Sequence, residues 1–163
     1  MITIKPAQSD DASQITTIWN HYILETNVTF NFQPKTKDEV QQLISDANRA
    51  DRVFLVAKDR GAAIGFATYF QFRGSVGYAR TMEHTIMLDK AAVGLGAGRK
   101  LMETLLAQAT SAGVHSMFAG VSSANPDGAA FHRALGFEDR GILPKVGHKG
   151  GQWYDLILLQ KFL

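Results

Sequence analysis

Residues 93–101 contain three glycines at alternating positions, between a strand-like segment and a segment with the apolar periodicity of a helix. Glycine lets successive backbone N–H groups turn toward a bound anion and lets a phosphate approach closely. The N-terminus of the following helix adds unpaired N–H donors and a partial positive charge. An ordinary turn before a helix is the alternative interpretation. The stretch therefore predicts a phosphate cradle formed by Val93, Gly94, Leu95, Gly96, Ala97, Gly98 and Arg99.

Two common phosphate-binding motifs do not match this stretch. A Walker A loop needs Gly-Lys followed by Ser or Thr, whereas Gly98 is followed by Arg99, Lys100 and Leu101. A dinucleotide-binding loop needs a third glycine at the position of Arg99 and an acidic residue at the end of the next strand. That strand, residues 115–121, contains no acidic residue. The sequence therefore argues against both a P-loop and a dinucleotide-binding domain.

The composition is that of one ordinary globular domain spanning residues 1–163. A chain of 163 residues with 45% hydrophobic content can bury a core without disulfides. Its basic residues are scattered and its net charge is +2, so we expect no nucleic-acid partner. The absence of cysteine excludes disulfides, thiolate zinc sites and a cysteine nucleophile, and we expect no metal. No signal peptide or membrane span is visible, so we expect a cytoplasmic protein without a membrane partner.

Two hydrophobic periodicities alternate along the chain and predict the order βααβββαβαββ. Asp10 or Asp11 is expected to cap the first helix, and a capping box at residues 36–39 to open the second. Gly113 and Gly136 are expected to follow the last two helices. The expected strands are residues 2–4, 53–57, 63–70, 81–88, 115–121 and two that flank a turn at 147–151. The fold class is α+β, a mixed central sheet flanked by helices, with one parallel crossover through the glycine stretch.

The glycine stretch resembles the Gln/Arg-x-x-Gly-x-Gly/Ala motif of the GNAT N-acetyltransferases, with Gly96 and Gly98 in the two small positions. The order of elements also matches that fold. The resemblance implies that the cradle binds the pyrophosphate of acetyl-CoA. Val93 stands where the superfamily has Gln or Arg, so one side-chain contact is lost while the backbone donors remain.

A closer resemblance rests on further segments, which are residues 20–23, 25–26, 28–32, Glu83, 131–137 and 147–155. Together these segments are similar to the phosphinothricin N-acetyltransferases, a group that includes enzymes for methionine sulfoximine and methionine sulfone. Because the matches lie in loops as well as in core segments, they report more than packing. They imply acetyl transfer from acetyl-CoA to the α-amino group of a small L-amino acid, and a homodimer.

The resemblance also implies roles for individual residues. Glu83 matches the family's glutamate and is expected to be the general base, a solvated strand glutamate being the alternative. His84 is expected on the opposite face of the strand and is interpreted as structural. His132 is either a general acid or a helix-surface histidine. Asn125 either contacts coenzyme A or caps a helix.

Substrate contacts follow from the same comparison. The backbone of Ile86, Met87 and Leu88 is expected to pair with the pantetheine arm. Arg73 or Arg80 is expected to bind the carboxylate of the acceptor, and solvated loop arginines are the alternative. Phe30 is expected to cover the acceptor, a core residue being the alternative, and Tyr78 is expected to add an aromatic wall.

Two other functions remain open at this point. One is acetyl transfer to another amine, such as a protein N-terminus or a polyamine. The other is acyl-CoA binding by a non-catalytic module. A polyamine calls for an acidic pocket and a protein for an open groove. The presence of Glu83 argues against an idle module.

Overall fold

The computed structural model describes residues 1–50 and 52–163, and its elements follow the predicted order. The strands are β1 (Thr3–Pro6), β2 (Phe54–Asp59), β3 (Ala62–Gln71), β4 (Thr81–Leu88), β5 (Ser116–Ser122), β6 (Glu138–Lys149) and β7 (Gln152–Phe162). The helices are α1 (Ala12–Glu25), α2 (Lys37–Arg49), α3 (Ala97–Ser111) and α4 (Pro126–Ala134). The predicted α+β class is confirmed.

The strands are hydrogen-bonded in the order β1-β2-β3-β4-β5-β7-β6. The pairs β1–β2, β2–β3, β5–β7 and β6–β7 are antiparallel. Strands β4 and β5 are parallel, with a register from Thr81↔Ser116 to Glu83↔Phe118. Because parallel neighbours need a crossover, α3 connects them, as the sequence predicts.

Helix ends follow the predicted capping chemistry in three places. The N–H of Glu39 donates to the Thr36 hydroxyl at 3.1 Å, and the Thr36 N–H donates to the Glu39 carboxylate at 2.6 Å. This reciprocal pair satisfies two donors at the start of α2. Gly113 and Gly136 follow α3 and α4 with φ values of 81° and 84°, a left-handed conformation that favours glycine.

Two boundaries differ from the prediction. A short 3₁₀ turn, Ser9–Asp11, precedes α1, so neither Asp10 nor Asp11 is its cap. The Asp11 carboxylate instead accepts from the Gln8 N–H at 2.9 Å and pairs with the Lys58 ammonium at 2.5 Å. The last turn is also shorter than predicted, because β6 continues to Lys149.

The described residues form two compact units. The first comprises Met1–His21, Lys35–Tyr69 and Thr85–Gly113. Its core contains Phe66, whose ring lies 4.7 Å from Trp19 and 5.8 Å from Phe54. The other fully buried large side chains of this unit are Ile15, Val40, Ile44, Leu55, Val56, Leu101, Met102 and Leu105.

The second unit comprises Tyr22–Pro34, Phe70–His84 and Val114–Leu163. Its buried apolar side chains include Ile23, Met117, Val121, Phe137 and Leu159. The single domain expected from the sequence stays a prediction. In the described part of the chain, no helix combines the length and apolar composition that crossing a bilayer requires.

Candidate active site

The glycine stretch lies in the first unit, and its backbone has the conformation that a phosphate cradle needs. Gly94 and Gly96 have φ values of 82° and 80°, which residues with a Cβ rarely adopt. The first hydrogen bond of α3 runs from the Lys100 N–H to the Gly96 carbonyl at 3.2 Å. The preceding N–H groups of Ala97 and Gly98 therefore have no partner within the helix. These residues fit a pyrophosphate through backbone donors alone.

Gly65 on β3 determines how closely β3 and the end of β4 approach in the same unit. A Cβ there would lie 2.5 Å from Cδ2 of Leu88 and 3.0 Å from the carbonyl oxygen of Met87. The Asp89 N–H donates to the Ile64 carbonyl at 2.9 Å and extends this contact. A glycine within a strand pattern is the sequence signal that could have identified this close contact between β3 and β4.

Glu83 lies on β4 in the second unit and is half-buried. Among the described residues its carboxylate has no hydrogen-bond partner, and burial raises the pKa of this carboxyl above its ordinary value. A Cβ on Gly120 would lie 2.8 Å from Oε1 of Glu83, so the glycine leaves room for the carboxylate beside β5. A carboxylate with a raised pKa and no ion-pair partner is suited to accept a proton.

An aromatic group lies on the same face of β5 as Gly120, since Phe118 is two residues earlier on that strand. The Phe118 ring stacks on Phe72 at 4.5 Å, and the Phe72 ring lies 6.3 Å from Tyr78. The guanidinium carbon of Arg73 lies 5.4 Å from the Phe72 ring centre. Three expected residues, Glu83, Tyr78 and Arg73, are thus connected through Phe72 and Phe118, which sequence reasoning missed.

Arg80 and Phe30 have other surroundings within this unit. Arg80 is exposed, and its carbonyl accepts from the N–H groups of His115 and Ser116 at 2.9 and 3.2 Å. The Phe30 ring lies 6.0 Å from Tyr154. The structure therefore places Arg73, rather than Arg80, against the aromatic group.

His84 and His132 form a buried pair. Their Nε2 atoms are 3.0 Å apart, and they are 8% and 5% exposed. Nδ1 of His132 lies 2.6 Å from the Gly128 carbonyl, which only accepts, so this nitrogen carries the proton. Nε2 of neutral His132 then accepts from Nε2–H of His84. Nδ1 of His84 is left bare, buried and without a partner among the described residues.

The buried histidine pair bears on the predicted roles of His84 and His132. His84 faces away from Glu83, as strand alternation predicts. His132 is buried, so the alternative of a helix-surface histidine is wrong. Both of its ring nitrogens already have protein partners, and the structure does not bring His132 to the face of β4 that carries Glu83.

Asn125 caps α4, because its Oδ1 accepts from the Gly128 N–H at 3.0 Å. The expected contact with coenzyme A stays a prediction. In the described part of the chain, no three His, Asp or Glu side chains converge in a way that could hold a metal ion.

We expect the buried histidine pair to make stability depend on pH. Burial lowers the pKa of both rings below the ordinary 6.5, and His132 further disfavours the charge on His84. Below pH 6.5 the unfolded chain therefore binds more protons than the folded one, and the free energy of unfolding falls as pH falls. Urea unfolding between pH 7.5 and 5 should show a weaker slope in the double variant His84→Leu/His132→Leu. The exposed His115→Gln is the control, and an unchanged slope in the double variant would contradict the assignment.

The chain is similar in sequence and structure to known acetyltransferases. The chain is 33% identical over 159 residues to the L-methionine sulfoximine/L-methionine sulfone acetyltransferase of Salmonella typhimurium, covering 98% of this chain and 93% of the relative. A phosphinothricin acetyltransferase from Sinorhizobium meliloti, solved in complex with acetyl-CoA, superposes with a TM-score of 0.94 at 33% identity. That match covers 99% of this chain and 88% of the other.

A third match has a different named substrate. A ribosomal-protein-alanine N-acetyltransferase from Brucella melitensis superposes with a TM-score of 0.96 at 32% identity, over 99% of both chains. The sequence profile of the acetyltransferase (GNAT) domain matches residues 4–158. With its sheet order, glycine cradle and nearly full-length match, this chain belongs to the GNAT acetyltransferase family.

Proposed function

We propose that this protein transfers the acetyl group of acetyl-CoA to the α-amino group of a small L-amino acid with a polar γ-substituent. Phosphinothricin, methionine sulfoximine and methionine sulfone are the acceptors of this type. The observation that carries the proposal is Glu83, whose partnerless carboxylate shares a face with the aromatic group beside Arg73. The named substrates of the two amino-acid-acetylating relatives support it.

Acetyl-CoA is proposed to bind through backbone groups. The N–H donors of Gly94, Gly96, Ala97, Gly98 and Arg99 hold the pyrophosphate, whereas the Leu95 N–H donates to the Ala92 carbonyl at 3.3 Å. The backbone of Ile86, Met87 and Leu88 pairs with the pantetheine amides. Val93 is exposed and apolar where the superfamily motif has Gln or Arg, so the cradle acts without a side-chain contact there. Asn125 is proposed to contact coenzyme A while it caps α4.

The proposed reaction is direct. The acceptor arrives mostly as an ammonium ion, and Glu83 takes one proton, directly or through water, to release the nucleophilic amine. The amine nitrogen forms a bond to the acetyl carbon, and the C–S bond then breaks to release the coenzyme A thiolate. The nitrogen loses its second proton to water and becomes the amide nitrogen of the product. The thiolate leaves without a proton from His132, whose Nδ1 and Nε2 are engaged by Gly128 and His84.

Acceptor recognition is proposed to rest on a cation and aromatic rings. The Arg73 guanidinium can bind the substrate carboxylate with two parallel hydrogen bonds, and the Phe72 ring supports it. Arg80 is the alternative cation. Tyr78 and Phe30 supply aromatic walls.

A second candidate acceptor is a protein N-terminus. The similarity to the ribosomal-protein-alanine acetyltransferase favours it. The two acceptors differ in one group, since a peptide has no free α-carboxylate beside its amine. A requirement for that carboxylate therefore separates the two functions.

We also propose a homodimer. Strands β6 and β7 expose apolar side chains, among them Ile142, Val146 and Trp153, which a second copy would cover. Sedimentation velocity that gives the mass of a single 17.9 kDa chain at micromolar concentration would contradict the dimer.

Gly98→Asp tests the cradle, because it places a carboxylate among the phosphate donors. We expect isothermal titration calorimetry to show strongly weakened binding of acetyl-CoA. Gly98→Asn has nearly the same shape without the charge and is the matched control. Wild-type affinity in both variants would show that the cradle does not bind acetyl-CoA.

Glu83→Gln removes the proposed proton acceptor and preserves the size of the side chain. We expect kcat to fall roughly 10²-fold near neutral pH, since general-base catalysis contributes at least that much. The loss should shrink as pH rises and the free amine becomes abundant, while acetyl-CoA affinity persists. The exposed Glu138→Gln serves as control. A Glu83→Gln enzyme with wild-type kcat across pH makes Glu83 a structural residue.

An acceptor panel decides the substrate class. Thiol release is measured with the three amino acids, their decarboxylated analogues, alanine-terminated peptides and polyamines. We expect only the amino acids to react well. Arg73→Ala should raise the amino-acid KM by about 10- to 100-fold, the usual effect of losing a charged hydrogen bond, without changing the acetyl-CoA KM. A higher kcat/KM for peptides or polyamines rejects the amino-acid proposal.

A further inference from the structure

Lys149, near the end of β6, has an unusual environment for a lysine. It is only 9% exposed, and it and Gly147 are the two buried residues of this strand. Its ammonium donates to the carbonyls of Ile23, Thr26 and Thr29 at 2.7, 2.7 and 2.9 Å. A lysine ammonium has three protons, and each of them meets a backbone oxygen. The group therefore has no proton left to bind a substrate.

The three carbonyls belong to one segment, residues 22–34 of the second unit. Ile23 lies in the last turn of α1, where backbone carbonyls lack helical partners and the helix dipole favours a cation. Thr26 and Thr29 lie in the loop that follows. Lys149 therefore joins the end of α1 to this loop through the charge of a single side chain.

The same stretch of β6 also supports the Phe30 ring. Gly147 and Lys149 are two residues apart and share a face of the strand. A Cβ on Gly147 would overlap the ring of Phe30, which lies directly over the glycine. Phe30 follows Thr29 in the loop. Gly147 therefore supports the Phe30 ring, and Lys149, on the same face of β6, holds the Thr29 carbonyl next to it.

Burial of the charged ammonium is energetically unfavourable, and this burial lowers the pKa of Lys149. Such burial is tolerated when every proton has an acceptor. Removing the ammonium would leave three carbonyls without their donor, and the loop would lose its attachment on both sides of Val28. The loop has some internal bonds, such as the Val28 N–H to the Thr26 hydroxyl at 3.2 Å, but these do not reach β6.

We infer that Lys149 is a positioning residue for the acceptor, which holds the loop of residues 26–30 so that Phe30 keeps one orientation over Gly147. The inference rests on the proposed function, in which Phe30 covers the amino acid. Lys149 touches neither substrate and acts through the loop.

The test compares Lys149→Met with Lys161→Met. Lys161 is a matched control, because its ammonium donates to a helix-end carbonyl, that of Leu135, at 2.6 Å and does not contact the loop. We expect Lys149→Met to raise the amino-acid KM about 10-fold or more, as for loss of charged hydrogen bonds. Its acetyl-CoA KM should stay within about twofold of wild type. Lys161→Met should leave both KM values unchanged even if it lowers stability.

A second readout separates this inference from the proposed function. Hydrogen exchange should show faster exchange of the amides of residues 26–30 in Lys149→Met than in Lys161→Met, whichever amine the enzyme acetylates. Gly147→Ala, which displaces Phe30 and keeps the ammonium, should raise the amino-acid KM in the same direction. If Lys149→Met does not fold, Lys149→Gln is measured in the same way. Wild-type exchange in residues 26–30 together with a wild-type amino-acid KM overturns the inference.

Discussion

Strand geometry imposes one constraint on which the chemistry of the second unit depends: consecutive side chains on β4 must face opposite sides of the sheet. Glu83 and His84 are such neighbours. The glutamate therefore faces Gly120 and the aromatic group, and the histidine faces α4, where it meets His132. One strand thus separates a carboxylate suited to proton transfer from a buried pair suited to packing. A shift of one residue in register would exchange the two roles.

Glu83, the histidine pair and Lys149 differ in the partners that their polar atoms have. The carboxylate of Glu83 has no partner, and burial raises its pKa. The histidine pair avoids charge, with one ring donating to the other. Lys149 keeps its ammonium and gives every proton to a backbone carbonyl. A reactive group is expected to be the one left without partners, because partners stabilise one protonation state. This contrast favours Glu83 as the reacting group.

Much of the fold and part of the site follow from local patterns. The capping box at Thr36, the glycines after α3 and α4 and the bounds of β4 depend on neighbours within a few residues, so periodicity and capping chemistry predict them. The cap of α1 was predicted wrongly, because the Asp11 carboxylate accepts from the Gln8 N–H in the preceding 3₁₀ turn and pairs with Lys58, 47 positions further along the chain. The contacts of Phe72 with Phe118 and of Lys149 with Thr29 also join distant segments, and no local sequence pattern predicts them.

The resemblance to the acetyltransferases indicated Glu83 as the candidate base, and the sequence by itself determined the glycine stretch and the order of helices and strands along the chain. These depend on backbone freedom, on periodicity and on residue type, which are local properties. Tertiary structure decided which histidine nitrogen carries a proton, which arginine lies against an aromatic ring and what Lys149 binds. Those outcomes depend on burial and on partners from distant segments, because desolvation and hydrogen bonding act only after the chain has brought the groups together.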